Sequence, residues 1–149
     1  MSPGFSELPR FLTPLGQSRT GFATVQKTIS AMEAEIRHLA LPVSFAPLPA
    51  ADGVEDQASM APSVIAKTAA IVERLRYLVA IEFVAAAQAV ELRGIGGKLG
   101  RGPAAAHAFV RRLVEPLTED RAQGPDFMRL AAAIAGVDAD EALAQGEGK

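Results

Sequence analysis

The stretch VAIEFVAAAQAV, Val79–Val90, decides the fold. Glu82 is its one charged residue and Gln88 its one other polar residue, so a helix drawn through it is apolar on every face. Such a helix is either buried on all sides or inserted in a membrane. Twelve residues interrupted by a carboxylate and an amide are too few to cross a bilayer, which takes about 20. The expected setting is the centre of a multi-helix bundle, enclosed by more protein than 149 residues supply. That implies an obligate partner or an oligomer.

Working outward, the periodicity predicts a helix from about Pro62 to Leu92, with Pro62 in the first turn and Ser59 as a possible cap. At about 1.5 Å per residue it is roughly 45 Å long, too long for the core of an isolated domain of this size. Upstream, Phe22, Val25, Ile29, Met32, Ile36 and Leu39 recur at alternating intervals of three and four, an amphipathic stripe that predicts a helix from Gly21 to about Leu41. Pro42 ends it, because the residue before a proline is pushed out of the helical region. Residues 42–58 are rich in proline and read as a long loop, of the kind that often carries function. Beyond the glycine-rich connector 93–102, helices are expected at about Pro103–Val114 and Pro125–Ala135. The whole is one helical domain over 1–149, with an irregular lead-in at 1–19 and a polar tail at 136–149.

Composition supports an all-α class. Aromatic residues are only 5% of the chain, alanine is abundant, and apolar/polar alternation is nearly absent. A net charge of −2, with Lys and Arg scattered among acids, excludes the basic stripe that nucleic acid or a membrane surface requires. The absence of cysteine removes disulfides and thiolate metal sites and is compatible with a reducing compartment. The start MSPGFSELPRFL lacks a basic region followed by an apolar one, so no signal peptide is read and a cytoplasmic location is expected.

Few residues carry a chemical signal. Around Gly97-Lys98 a phosphate loop fails, since Leu99 stands where Ser or Thr is needed and Leu92 where the first glycine belongs. His38 and His107 fall on different helices without carboxylates at metal-ligand spacing, so no metal site is expected. Glu82 is costly in an apolar helix unless paired, and an ion pair with Arg or Lys from a neighbouring helix is favoured over a catalytic role. Gln88 is expected to satisfy a buried polar contact. In DGVEDQASMAP, 52–62, Glu55 and Asp56 read from composition alone as part of a solvated loop.

Taken together, several segments resemble the C-terminal region of the histidine and aromatic amino-acid ammonia-lyases. They are LPRFL at 8–12, GFATVQKTISAMEAEIRHLALPVSFAPLP at 21–49, VEDQASMAP at 54–62 and AIEFVAAAQAVELR at 80–93. PAAAHAFVR at 103–111 and EDRAQGPDF at 119–127 complete a collinear similarity over about 8–135. Gln26 and Glu35 stand at matching intervals in the first long helix, and 54–60 is similar to the family's Gln-Glu-Asp-His-x-Ser-Met segment. The resemblance implies an all-α fold of long antiparallel helices in an oligomeric central bundle, with active sites shared between subunits. It implies an amino-acid substrate, histidine or an aromatic amino acid, that loses ammonia. The electrophile of the family is 4-methylideneimidazole-5-one, formed from an internal Ala-Ser-Gly. By the same resemblance Glu55 is the catalytic acid/base or amine-binding group, with Asp56, Gln57, Gln26, Glu82 and Gln88 as loop or structural support.

The departures are equally specific. No Ala-Ser-Gly occurs, and the nearest string is Ala58-Ser59-Met60. Gly53-Val54 stands where the family has Asn-Gln, and Gln57 replaces its His. The expectation is therefore a C-terminal-type subunit or fragment, inactive alone, whose electrophile comes from a larger N-terminal-type chain. The rival expectation is a non-catalytic helical scaffold or truncated relic, alone or as a homo-oligomer. An aminomutase is a third.

Overall fold

The computed structural model of the chain describes residues 3–16, 18–43, 49–55 and 59–136. Among these there is no β-strand, only helices: α1 (Pro3–Ser6), α2 (Val25–Leu39), α3 (Ala61–Leu92), α4 (Arg101–Leu113) and α5 (Gly124–Ile134). Short 3-10 turns at Arg10–Leu12, Ala51–Gly53 and Gly96–Lys98 join them. The polar tail 137–149 lies outside the described residues.

The organising element is α3, 32 residues and about 48 Å long. It starts at Ala61 with Pro62 in its first turn, where a missing N–H costs nothing. The cap position belongs to Met60, in left-handed backbone at φ 52°, and no side chain bonds the first-turn N–H groups. Ser59 is thus one residue too early to serve as the cap. At the far end Gly94, at φ 63°, turns the chain toward α4.

Antiparallel to α3 runs α2. An ion pair joins Arg74 to Glu35 at 2.6 Å, and Lys67 donates to the Leu41 carbonyl just past the C-terminal end of α2. The helix stops at Leu39, three residues before Pro42, with Arg37 in its last turn, where a cation meets the negative end of the helix dipole.

The core sits at the C-terminal half of α3. Ala80, Ile81, Val84, Ala87 and Gln88 are buried there under Phe22 and Val25, Phe109 and Val110 of α4, and Phe127 and Leu130 of α5. Tyr77 meets Phe127 edge to face, ring centres 6.2 Å apart. The lead-in is irregular but packed: Leu8, Leu12 and Thr13 are buried, and Leu12 is among the largest side chains to vanish from solvent. Its anchor is a close approach between two backbone segments. Phe22 N donates to Phe11 O at 2.8 Å, and a Cβ on Gly21 would lie 2.5 Å from that same oxygen. With φ 48° as well, the position accommodates only glycine.

Asp120 closes this corner. Its Oδ2 accepts from Thr20 N at 2.8 Å and its Oδ1 from Gly21 N at 2.9 Å. Those two bonds, Thr20 first, hold its carboxyl below the usual carboxylate range, with Arg19 adding to the effect. A depressed carboxyl contributes stability that is full above the ordinary carboxylate pKa and lost as pH falls through the folded value. Asp120→Asn is therefore expected to lower the urea midpoint at pH 7, and the gap from wild type should close as pH drops from about 5 to below 3. Midpoints measured across that range check it; a gap independent of pH assigns the effect elsewhere.

Among the described residues, the N-terminal half of α3 carries no buried side chain. Val64, Ile65, Val72, Leu75, Val79 and Phe83 are exposed and share one face of the helix, opposite the buried stripe. Among the described residues, the Val79–Val90 segment is thus covered on one side and open on the other. No helix is long and apolar enough to cross a membrane among the described residues.

Candidate functional site

Glu55 closes a tight loop just before α3. Ala50 N donates to Glu55 O at 2.8 Å and Glu55 N to Ala50 O at 3.2 Å, a single antiparallel bridge. Between them Ala51, Asp52 and Gly53 all have positive φ, 51°, 54° and 86°. Two non-glycine residues in left-handed backbone store strain of order 1–3 kcal/mol each, which persists only where surroundings impose it. The paired ends hold the backbone of Glu55 in place while its side chain stands exposed. Asp56 and Gln57, expected beside it as loop support, lie outside the described residues.

The other expected residues are elsewhere. Glu82 lies 21 residues beyond Ala61, about 31 Å along the axis of α3. There it shares a groove of about 590 Å³ with Gln26, walled by Phe11, Phe22, Val25, Ile29, Leu78 and Ile81. The antiparallel course of α2 brings Gln26 to Glu82. The ion pair expected for Glu82 with a neighbouring helix is not made among the described residues. The helices at that level, α2 and the lead-in, present apolar side chains there instead.

Gln88 has a structural setting. Buried at 3% exposure, it donates through Nε2 to Leu12 O at 3.2 Å and Leu117 O at 3.0 Å, and accepts from Leu117 N at 3.0 Å through Oε1. One side chain thereby ties α3 to the lead-in and to the segment between α4 and α5.

A cluster that sequence reasoning missed lies one turn further on. Arg111 grips Glu91 through Nε at 2.5 Å and Nη2 at 2.9 Å, while His107 Nε2 sits 3.4 Å from the same carboxylate. The forked geometry fixes α4 against the end of α3. His107 and Arg111 are four apart on one helix, a visible signal, but their shared partner Glu91 upstream is not marked by any spacing.

The described residues form a helical assembly organised by α3, with a Glu-bearing loop at its start. A family model described as aromatic amino acid lyase matches residues 1–112, and the chain belongs to that family. It is 36% identical to the histidine ammonia-lyase of Deinococcus radiodurans over 130 residues, covering 87% of this chain and 24% of that protein. With the Symbiobacterium thermophilum histidine ammonia-lyase the identity is 35%, over 88% of this chain and 26% of the relative. Among solved structures, the ergothionase of Treponema denticola superposes with a TM-score of 0.86 at 34% identity, over 95% of this chain and 28% of that one. The tyrosine aminomutase of Streptomyces globisporus gives 0.87 at 30% identity, over 93% and 26%. The chain thus spans about a quarter of the length of the relatives it matches.

The family's Ala-Ser-Gly electrophile does not fit the residues present. Met60 occupies the place of glycine in the nearest string, Ala58-Ser59-Met60, and no other candidate exists in the 149 residues. Nothing in this chain forms the group.

Proposed function

We propose that this chain is the C-terminal-type component of an ammonia-lyase acting on histidine or an aromatic amino acid, completed by a larger polypeptide that carries the Ala-Ser-Gly electrophile. The open apolar face of α3 supports the reading most directly. Val64, Ile65, Val72, Leu75, Val79 and Phe83 form a stripe along a helix whose opposite side is already packed. Such a stripe in water demands cover, from the larger polypeptide, from further copies of this chain, or from both. In the assembled enzyme Glu55 is the catalytic acid/base or amine-binding group. Loss of ammonia breaks a C–N bond and removes a proton from the adjacent carbon, and an exposed carboxylate on a fixed backbone suits either proton transfer or an ammonium contact. Gln88 is structural support, and Asp56, Gln57 and Gln26 are assigned to support as well. The electrophile activates the amino acid when present, and it belongs to the partner.

The test is co-expression with a family polypeptide that contains Ala-Ser-Gly and corresponds to the remaining three quarters of the relatives. A stoichiometric complex that releases ammonia and an unsaturated acid is the expected result. A well-folded monomer that ignores the partner overturns the proposal. The altered Gly53-Val54 and Gln57 favour a second reading, a helical scaffold that assembles without chemistry. That reading predicts a complex with no turnover. A β-amino acid product would instead mark an aminomutase.

A further inference from the structure

Among the described residues Glu82 is a carboxylate without a counter-ion at the wall of an apolar groove. Its neighbours there are Phe11, Phe22, Ile29, Leu78 and Ile81, with the Gln26 amide as the one other polar side chain of the lining. Among the described residues no ion pair reaches it. In the isolated chain this costs little, because Glu82 is exposed and water solvates it. Once the groove is covered the balance changes. A carboxylate enclosed by aromatic and aliphatic side chains loses its hydration, a penalty of several kcal/mol that only an opposite charge and hydrogen bonds offset. An uncharged apolar segment laid over it would leave the charge stranded, so the groove selects against such an occupant.

Resting on the proposed function, we infer that this groove is the docking site for a helix of the larger polypeptide that presents an apolar face and one Lys or Arg to Glu82. Two observations point to that occupant. The charge left open is negative and single, so the complement is a single cation. About three quarters of the relatives' length lies outside this chain, whereas the described part of the chain offers the groove no cation of its own. The groove also differs from the exposed stripe of α3. It is built jointly by α2, α3 and the lead-in, and it contains the charge the stripe's apolar residues lack. Glu82 is thus a specificity device: hydrophobic burial drives docking, and the ion pair sets which helix docks and in what register.

The experiment measures association of the purified chain with the Ala-Ser-Gly polypeptide used above, by sedimentation at several concentrations. Wild type, Glu82→Gln, Glu82→Arg and the distant control Glu115→Arg are compared, with helicity checked by circular dichroism. Since Glu82 is exposed in the free chain, the variants should fold as wild type does. Glu82→Arg is expected to weaken association about 30-fold or more, Glu82→Gln less, and Glu115→Arg not at all. Hydrogen exchange at 22–29 and 78–86 should slow further in the complex than in the free chain. Wild-type affinity in Glu82→Arg overturns the inference and leaves the proposed function standing. A variant that alters self-association but not the complex also overturns it, and gives the groove to a second copy. Failure of the wild-type chain to bind any such polypeptide removes the proposed function itself.

Discussion

Glu55→Gln is expected to lower turnover of the assembled enzyme by about 10²–10⁴-fold, the range a positioned acid or base contributes, while leaving assembly intact. The separation of the two effects follows from the loop. What holds the loop closed is backbone, the paired exchange between Ala50 and Glu55, and not the Glu55 carboxylate. Glutamine keeps the size of the side chain and removes only the charge and the proton-accepting capacity. Complex formation by sedimentation and ammonia release under the same conditions check both halves. Equal turnover in Glu55→Gln would take the chemistry away from this residue. Loss of the complex would make it a docking residue instead.

Gln88→Leu is expected to destabilise the chain by about 3 kcal/mol or more. The substitution nearly preserves volume, so the cost is not a cavity. It comes from the Leu12 carbonyl and from the carbonyl and N–H of Leu117, which lose their partner in a buried place. Each such group left unpaired costs about 1–3 kcal/mol, and the gain from burying leucine offsets only part of the total. Against a stability of about 5–15 kcal/mol for an ordinary domain, the loss is large. Urea denaturation followed by circular dichroism measures it. Amide exchange should quicken first in the lead-in and at 114–117, the two segments that Gln88 holds. A change below about 0.5 kcal/mol would mean that water reaches these groups in the native state.

Much of the fold is legible along the chain. The helix boundaries expected at Pro62–Leu92 and Pro125–Ala135 fall within a residue of α3 and α5, and Pro103–Val114 starts two residues after α4 does. Periodicity and proline act locally, so sequence alone carries them. The lead-in is different. Nothing in LPRFL announces that Leu12 is buried, since its packing depends on Phe22, Gln88 and the close pass at Gly21. The lack of a counter-ion to Glu82 among the described residues was equally invisible. A carboxylate in an apolar helix predicts a nearby cation, yet the antiparallel course of α2 sets Gln26 and aromatic side chains there.

For the site, the residue types and the Glu55 loop were readable as a pattern, but their relative placement was not. Gln26, Glu82 and Gln88 were expected, with Asp56 and Gln57, only as loop or structural support. About 31 Å of rigid helix separates the groove of Gln26 and Glu82 from that loop, and Gln88 lies further along still. The sequence by itself determined the all-α class, the long central helix and the lack of an Ala-Ser-Gly, because these are properties of local pattern and of bare presence. Only the tertiary structure decided which face of α3 is closed, which is open, and that Glu82 has no ion-pair partner among the described residues. Those depend on contacts between segments distant in the chain, and no periodicity within one helix records them.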